Sequence, residues 1–259
     1  MTVWVRFADG ATEGFGTLEG AAIAVHDGDM FGANRATGVQ LALDDVRLLA
    51  PVRPGKFIGL WNNFHALAAA QSLAIPEFPL IFLKATSSII GQGDEFRAPA
   101  GYAGRVFYEG ELGVVIGRHC KDVDEAGAEA AIFGYTCVND ITAGGLFGDN
   151  PKFEQWARAK SCDGFGPVGP GIATELDWRG LSVRTLLNGR ERQNYPVSDM
   201  IIPPPRIVSL LSREMTLEPG DLITCGTSVG VLPMKPGMEV EVAIEGIGVL
   251  RNRYAANSG

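Results

Sequence analysis

Glycine and proline punctuate this chain every ten residues or so, 34 of the first and 15 of the second. A proline inside a helix costs about 3 kcal/mol and a glycine about 1 kcal/mol relative to alanine. Such spacing cuts long helices short, whereas strands of about five or six residues fit between the breaks. The chain is therefore held to many short strands and few helices. Strand-like runs occupy residues 3–7, 13–25 and 45–49, then 56–61, 80–84, 105–117, 134–141, 181–187, 221–225 and 239–250. Asn188-Gly189, within 187–193, is a hairpin signal. Three short helices are predicted. An Ala-rich one covers 63–74. A second covers 122–133, capped by Asp122 or Asp124, with Glu125 and Glu129 on its exposed face. A third covers 205–215 and begins on Pro205. Leu49-Ala-Pro-Val-Arg-Pro-Gly55 reads as a linker between a small N-terminal β subdomain, 1–50, and a larger domain, 51–259. The mixture is a β-rich α+β fold.

The bulk properties exclude several classes of function. The 259 residues suit one large domain, or a large one with a small one, and 46% hydrophobic content supplies a core. A net charge of −8 repels phosphate backbones, so no nucleic-acid partner is expected. No apolar run approaches the roughly 20 residues of a membrane span. The first ten residues include Arg6 and Asp9 and lack an apolar signal core. Cys120, Cys137, Cys162 and Cys225 lie far apart with no CxxC pair, which reads as reduced thiols in a cytoplasmic protein.

The chemistry concentrates in Phe107-Tyr-Glu-Gly-Glu-Leu-Gly-Val-Val-Ile116. Residues i and i+2 of a strand share a face, so Glu109 and Glu111 point one way and Leu112, Val114 and Ile116 the other. Two buried carboxylates repel, and leaving them unpaired costs several kcal/mol; a cation between them removes that penalty. Glu-x-Glu on a solvated strand face is the bland alternative. A second apolar run, Gly134-Tyr-Thr-Cys-Val-Asn139, ends on Asp140, which is either a third ligand or a turn residue. Three carboxylates with no nearby His or Cys suit Mg²⁺, Mn²⁺ or Ca²⁺ better than Zn²⁺. About three coordination positions would remain for water and a bidentate substrate.

The order of blocks resembles the fumarylacetoacetate hydrolase (FAH) family. The blocks are Phe82-Leu-Lys84, Tyr108 to Gly117, Gly134 to Asp140, Ala159-Lys-Ser161, Asn188-Gly189, Thr216-Leu-Glu-Pro-Gly-Asp221, Gly226-Thr227 and Ile244 to Leu250. The match covers roughly 55–250. The resemblance implies a mixed β-roll, a homodimer, and Mg²⁺ or Mn²⁺ held by Glu109, Glu111 and Asp140. It places Lys84, Lys160 and Thr227 against the substrate and His65 on a lid helix as base. On the residues alone, the two lysines and His65 would be surface groups, as would His26 and His119. The chain departs from the family pattern at Ala68, where a helper carboxylate often stands, and at Gly144 and Phe147, where arginine and glutamine are usual. Ser228 stands in place of a proline.

The expected function is divalent-metal-dependent hydrolysis of a C–C bond in an acylpyruvate-like 2-oxo acid, with Phe147 meeting an uncharged end of the substrate. Metal-dependent decarboxylation or keto–enol isomerisation of a related acid is the alternative. A non-catalytic metal-binding protein is the alternative of another class. Gly226-Thr-Ser-Val-Gly230 fits G-x-S-x-G, but Pro233 and Pro236 follow where that motif needs a helix, and no histidine comes later. Gly14-Phe-Gly16 lacks the helix of a dinucleotide site.

Overall fold

A computed structural model describes residues 1–257, and one large mixed sheet organises it. The sheet has 12 strands. Ten of them run in the order Asn34–Ala42, Ala22–Gly28, Thr12–Glu19, Thr2–Asp9, Gly166–Thr174, Ile132–Asn139, Gly110–Ile116, Leu222–Thr224, Phe57–Trp61 and Leu80–Lys84, while Arg47–Leu49 pairs with Thr2–Asp9 and Ile89–Ile90 with Gly166–Thr174 off that path. A five-stranded sheet contains Arg190–Pro196, Ser182–Leu187, Glu239–Ile244, Gly248–Tyr254 and Glu95–Phe96. A small third sheet joins Thr142–Ala143, Val106–Phe107 and Pro233–Met234. Helices are few and short, as the glycine and proline spacing requires.

The strand Gly110–Ile116 is buried along its whole length. Leu112, Val114 and Ile116 pack with Val183, Val242, Ile244 and the helix residues Ile207 and Leu211. Val115, on the opposite face, packs with Phe57, Val138, Val168 and Leu222. A strand covered on both faces excludes water from any polar group it carries, and Glu111 is the one charge in it. The helix Pro204–Glu214 starts on proline and lays Ile207, Val208 and Leu211 on the core. The helix Glu125–Ala131 is capped by Asp124, whose side chain accepts from the Gly127 N–H. The N-terminal strands carry their own small cluster of Val5, Phe7 and Ile23. They join the large sheet where Thr2–Asp9 pairs with Gly166–Thr174.

Several sequence expectations shift. The run 105–117 is two strands, Val106–Phe107 and Gly110–Ile116, in different sheets, with Tyr108 and Glu109 at the break. The run 239–250 is likewise two strands joined by a turn through Gly246. The run 13–25 turns at Gly20, with φ of 65°. The helix expected over 63–74 spans His65–Gln71 only, ended by Ser72 in the left-handed region with φ of 55°. Asn34–Ala42, Gly166–Thr174 and the helix Trp156–Lys160 are additional elements. His26 is half-buried rather than superficial, edge-on to Trp4 and bonded to Asn34. Among the described residues no helix is long and apolar enough to cross a membrane.

Candidate functional site

The antiparallel register that pairs Gly110 with Asn139 and Glu111 with Val138 sets Glu109 opposite Asp140 when carried one residue further. The backbone closes that pairing: the Asp140 N–H donates to the Glu109 carbonyl at 2.8 Å. Glu111 shares the face of Glu109. The three side chains each present a carboxylate oxygen within 4.8 Å of the others. Gly110 has no room for a side chain, because a Cβ there would lie 2.0 Å from Thr185 Oγ1.

Two lysines complete the cluster, and both are buried, contrary to a surface reading of either. Lys160 ends the helix Trp156–Lys160 and donates to Asp140 Oδ2 at 2.6 Å and Glu109 Oε2 at 2.9 Å. Lys84 ends the strand Leu80–Lys84 and donates to Asp140 Oδ1 at 2.6 Å and to the Lys160 carbonyl. Thr142 Oγ1 donates to Glu109 Oε1 at 2.7 Å. Glu111 Oε2 accepts from the Thr224 hydroxyl and, at 2.7 Å, from the Gly226 N–H. Gly226 can turn its N–H there because its φ is +87°.

Burial raises the Glu111 carboxyl well above its ordinary value, and the charges of Asp140 and Glu109 raise it further. Burial also raises Glu109, against the pull of Lys160. Burial would raise Asp140 too, but Lys160 and Lys84 outweigh it and hold Asp140 low. Burial lowers Lys84, with Asp140 opposing. For Lys160 the carboxylates outweigh burial and push it up.

The donor set fits a hard divalent cation. Glu111 Oε1 is buried and, among the described residues, has no hydrogen-bond partner, whereas its other oxygen has two. An ionised oxygen left in that state is costly, and a cation shared with Glu109 and Asp140 would satisfy it. With all three carboxylates ionised, as a bound cation would require, the cluster would hold three negative charges against the two ammonium groups of Lys84 and Lys160.

Thr227 is buried; it donates to the Gly110 carbonyl at 3.0 Å and accepts from Gln193 Nε2 at 2.8 Å. Glu109, Thr227 and the helix residues Leu67, Ala70 and Gln71 line one cleft of about 260 Å³, with Trp61 at its side. Trp61 also borders a second cleft with Phe82 and Trp156. Phe82 stacks on Trp156, Phe147 meets Trp156 edge-on at 4.8 Å, and Lys160 Nζ sits 5.1 Å from the Phe82 ring centre. Phe147 thus belongs to an aromatic wall with Trp156 and Phe82, and Phe82 lies against Lys160. His65 is exposed at the start of its helix, does not line the cleft, and makes no side-chain hydrogen bond among the described residues. Ala68 is buried on the same helix. Ser228 is buried and, among the described residues, no helix follows it, in keeping with rejection of a serine-hydrolase motif.

Thr142, Thr224, Gln193, Tyr195 and Trp156 were not singled out in the sequence. Thr224 and Gln193 carried faint signals, as the end of a strand before Gly226-Thr227 and a polar residue in the Asn188-Gly189 hairpin. Nothing marked the others.

Residues 56–255 match the family model described as fumarylacetoacetate (FAA) hydrolase C-terminal, and residues 4–51 match the model Rv2993c-like, N-terminal. Protein Rv2993c of Mycobacterium tuberculosis is 44% identical over 226 residues, 86% of this chain and 83% of its own. The structure of 2-hydroxyhepta-2,4-diene-1,7-dioate isomerase from Mycobacterium marinum superimposes with a TM-score of 0.91, at 38% identity and 100% coverage of both chains. Maleylpyruvate hydrolase from Sphingobium sp. SYK-6, solved in complex with manganese(II) and pyruvate, superimposes with a TM-score of 0.81, at 25% identity and 100% coverage of both. The β-rich fold is that of these proteins, and the chain belongs to the fumarylacetoacetate hydrolase family.

Proposed function

We propose that this chain is a divalent-metal-dependent hydrolase that cleaves a C–C bond in an acylpyruvate-like 2-oxo acid. The observation that carries the reading is the partnerless buried oxygen of Glu111 in a cluster of three carboxylates and two ammonium groups. Glu109, Glu111 and Asp140 would hold Mg²⁺ or Mn²⁺; Ca²⁺ accepts the same donors. The manganese and pyruvate in the Sphingobium hydrolase support that choice of metal and substrate class. The chemistry such an ion supplies is Lewis acidity toward the keto and carboxylate oxygens of a 2-oxo acid.

The protein's own groups have distinct parts in this reading. Lys160 and Lys84 keep Asp140 anionic and stabilise negative charge that develops on the substrate. Thr227 offers a hydroxyl at the cleft. Phe147 and Trp156 form a dry wall for the far end of the substrate. The helix His65–Gln71 is too short to be stable by itself, and it serves as a lid. Closure would bring the His65 imidazole to the water whose proton it takes. Hydrolysis adds hydroxide to the acyl carbon and a proton to the released pyruvate carbon.

One observation favours a second reading, decarboxylation or keto–enol isomerisation. His65 has no hydrogen-bond partner among the described residues, and Ala68 supplies no carboxylate to raise its basicity. The name of the Mycobacterium marinum relative points the same way. Assays of an apolar acylpyruvate, oxaloacetate and an enol-form 2-oxo acid, with Mn²⁺ and with chelator, separate the readings. Metal-dependent release of pyruvate plus a carboxylic acid supports hydrolysis. Release of CO₂, or tautomerisation alone, supports the second reading. No turnover of any substrate overturns both and leaves a non-catalytic metal-binding protein.

The same reading includes a cytoplasmic homodimer. It also treats 1–50 and 51–259 as separate units, on the small cluster around Phe7 and the two family matches.

A further inference from the structure

Gln193 lies in the strand Arg190–Pro196, buried, and reaches from the five-stranded sheet to the loop after Leu222–Thr224. Its amide can sit only one way round. The Gly110 N–H, 3.1 Å from Gln193 Oε1, can only donate, so the oxygen must face it. On the other side the nitrogen faces the carbonyls of Ser228 at 3.1 Å and Val229 at 3.4 Å, which can only accept. Thr227 Oγ1, 2.8 Å from that nitrogen, is therefore always the acceptor in its bond with Gln193.

A hydroxyl has one hydrogen. Since Gln193 cannot take it, the Thr227 hydrogen must go elsewhere, and it goes to the Gly110 carbonyl at 3.0 Å. That carbonyl has a second donor, the Tyr195 hydroxyl at 2.6 Å. Thr227 can therefore turn its hydrogen into the cleft it shares with Glu109 without leaving Gly110 unsatisfied.

We propose that Gln193 is a positioning residue that restricts Thr227 to donating, and that Tyr195 releases Thr227 from Gly110 when a substrate carboxylate enters. The inference rests on the reading of the cleft as a 2-oxo-acid site. Gln193 never touches the substrate; it acts through Thr227. Without it, the Thr227 hydrogen is drawn toward the Ser228 and Val229 carbonyls that Gln193 had satisfied. Without the Tyr195 hydroxyl, Gly110 competes with the substrate for the same hydrogen.

The test is a double-mutant cycle on the intact protein, read as oxalate affinity by calorimetry in saturating Mn²⁺ and as KM against kcat for whichever 2-oxo acid turns over. Thermal melts check that each variant is folded. Gln193→Met and Tyr195→Phe should each weaken oxalate binding about three- to tenfold, the range of one hydrogen bond, with the loss in KM rather than kcat. Both losses should vanish in a Thr227→Val background and persist in Thr227→Ser, which keeps the hydroxyl. If Gln193→Met does not fold, Tyr195→Phe alone completes the cycle. Losses that persist unchanged beside Thr227→Val overturn the inference while leaving the site reading intact. Failure of the wild-type protein to bind oxalate overturns both.

Discussion

Lys84 donates to Asp140 across 2.6 Å, with both side chains closed to solvent. Removing one member of a buried ion pair typically costs about 3–5 kcal/mol, because the other charge is left uncompensated. Here Lys160, which already donates to Glu109 and Asp140, would be the one ammonium group left in the cluster. Lys84→Met should lower the Tm of the metal-free protein by many degrees and abolish turnover. Mn²⁺ should raise the Tm of this variant more than that of the wild type. Melts in chelator and in Mn²⁺ measure both effects; equal metal-induced shifts would contradict the electrostatic argument.

Burial first, and neighbouring carboxylates second, raise Glu111 in the folded protein. Burial also raises Glu109. A carboxyl whose folded pKa exceeds its unfolded one favours the fold below the unfolded pKa and loses that contribution as pH rises through the folded value. These two groups thus cost the metal-free protein stability from the ordinary carboxylate range upward. A cation takes the ionised forms and must displace their protons. The Tm gain from Mn²⁺ should therefore be larger at pH 8 than at pH 5.5. An equal or larger gain at the acid pH would show that these carboxylates are not the ligands.

Much of this arrangement was legible in the sequence, and the misses have physical causes. Glu109, Glu111 and Asp140 were readable as a same-face pair and a strand-end residue, because strand periodicity is local. The break at Tyr108 and Glu109 was not, since it arises where the chain leaves one sheet for another. Gly166–Thr174 contains Pro167, Pro170 and three glycines, which hide any strand pattern, yet it lies between Thr2–Asp9 and Ile132–Asn139. Those glycines permit close approach: a Cβ on Gly171 would lie 2.7 Å from the Trp4 carbonyl. Asn34–Ala42 is largely exposed, so it has little hydrophobic alternation to find. The burial of Lys84 and Lys160 depends on partners 56 and 20 residues away and leaves no local trace.

The aromatic wall should select the substrate. Phe147, Trp156 and Phe82 form one aromatic wall, with Phe82 against Lys160, and no side chain stands at Gly144 to pair a distant carboxylate. An acylpyruvate with an apolar tail should be turned over at higher kcat/KM than fumarylpyruvate under the same metal. Phe147→Gln should narrow that ratio severalfold. Arginine at 144 cannot enter undisturbed, because a Cβ there would lie 2.6 Å from Phe107 Cε2. A clear preference of the wild type for the charged tail would contradict this assignment of the wall.

The strand Leu80–Lys84 ends the large sheet, paired on one side only by Phe57–Trp61. Leu80, Ile81 and Leu83 are exposed on it, and Phe78 precedes it, also exposed. Natural edge strands are usually protected by charge, and a bare apolar edge favours pairing with another chain. Light scattering should give a dimer at micromolar concentration, and Leu83→Arg should shift it toward monomer. A wild-type monomer under those conditions would rule out this edge as a stable dimer interface.

Mn²⁺ titration by calorimetry, comparing wild type with Glu111→Gln, bears most directly on the proposal that Glu109, Glu111 and Asp140 hold a metal. The substitution keeps the shape and an oxygen for the Thr224 and Gly226 donors, but it turns the partnerless Oε1 into an amide nitrogen. The wild type should take up one ion per chain. Glu111→Gln should remain folded and lose affinity by at least tenfold, and Asp140→Ala should lose it as well. Undiminished Mn²⁺ affinity in Glu111→Gln would contradict the assignment of Glu109, Glu111 and Asp140 as a metal site.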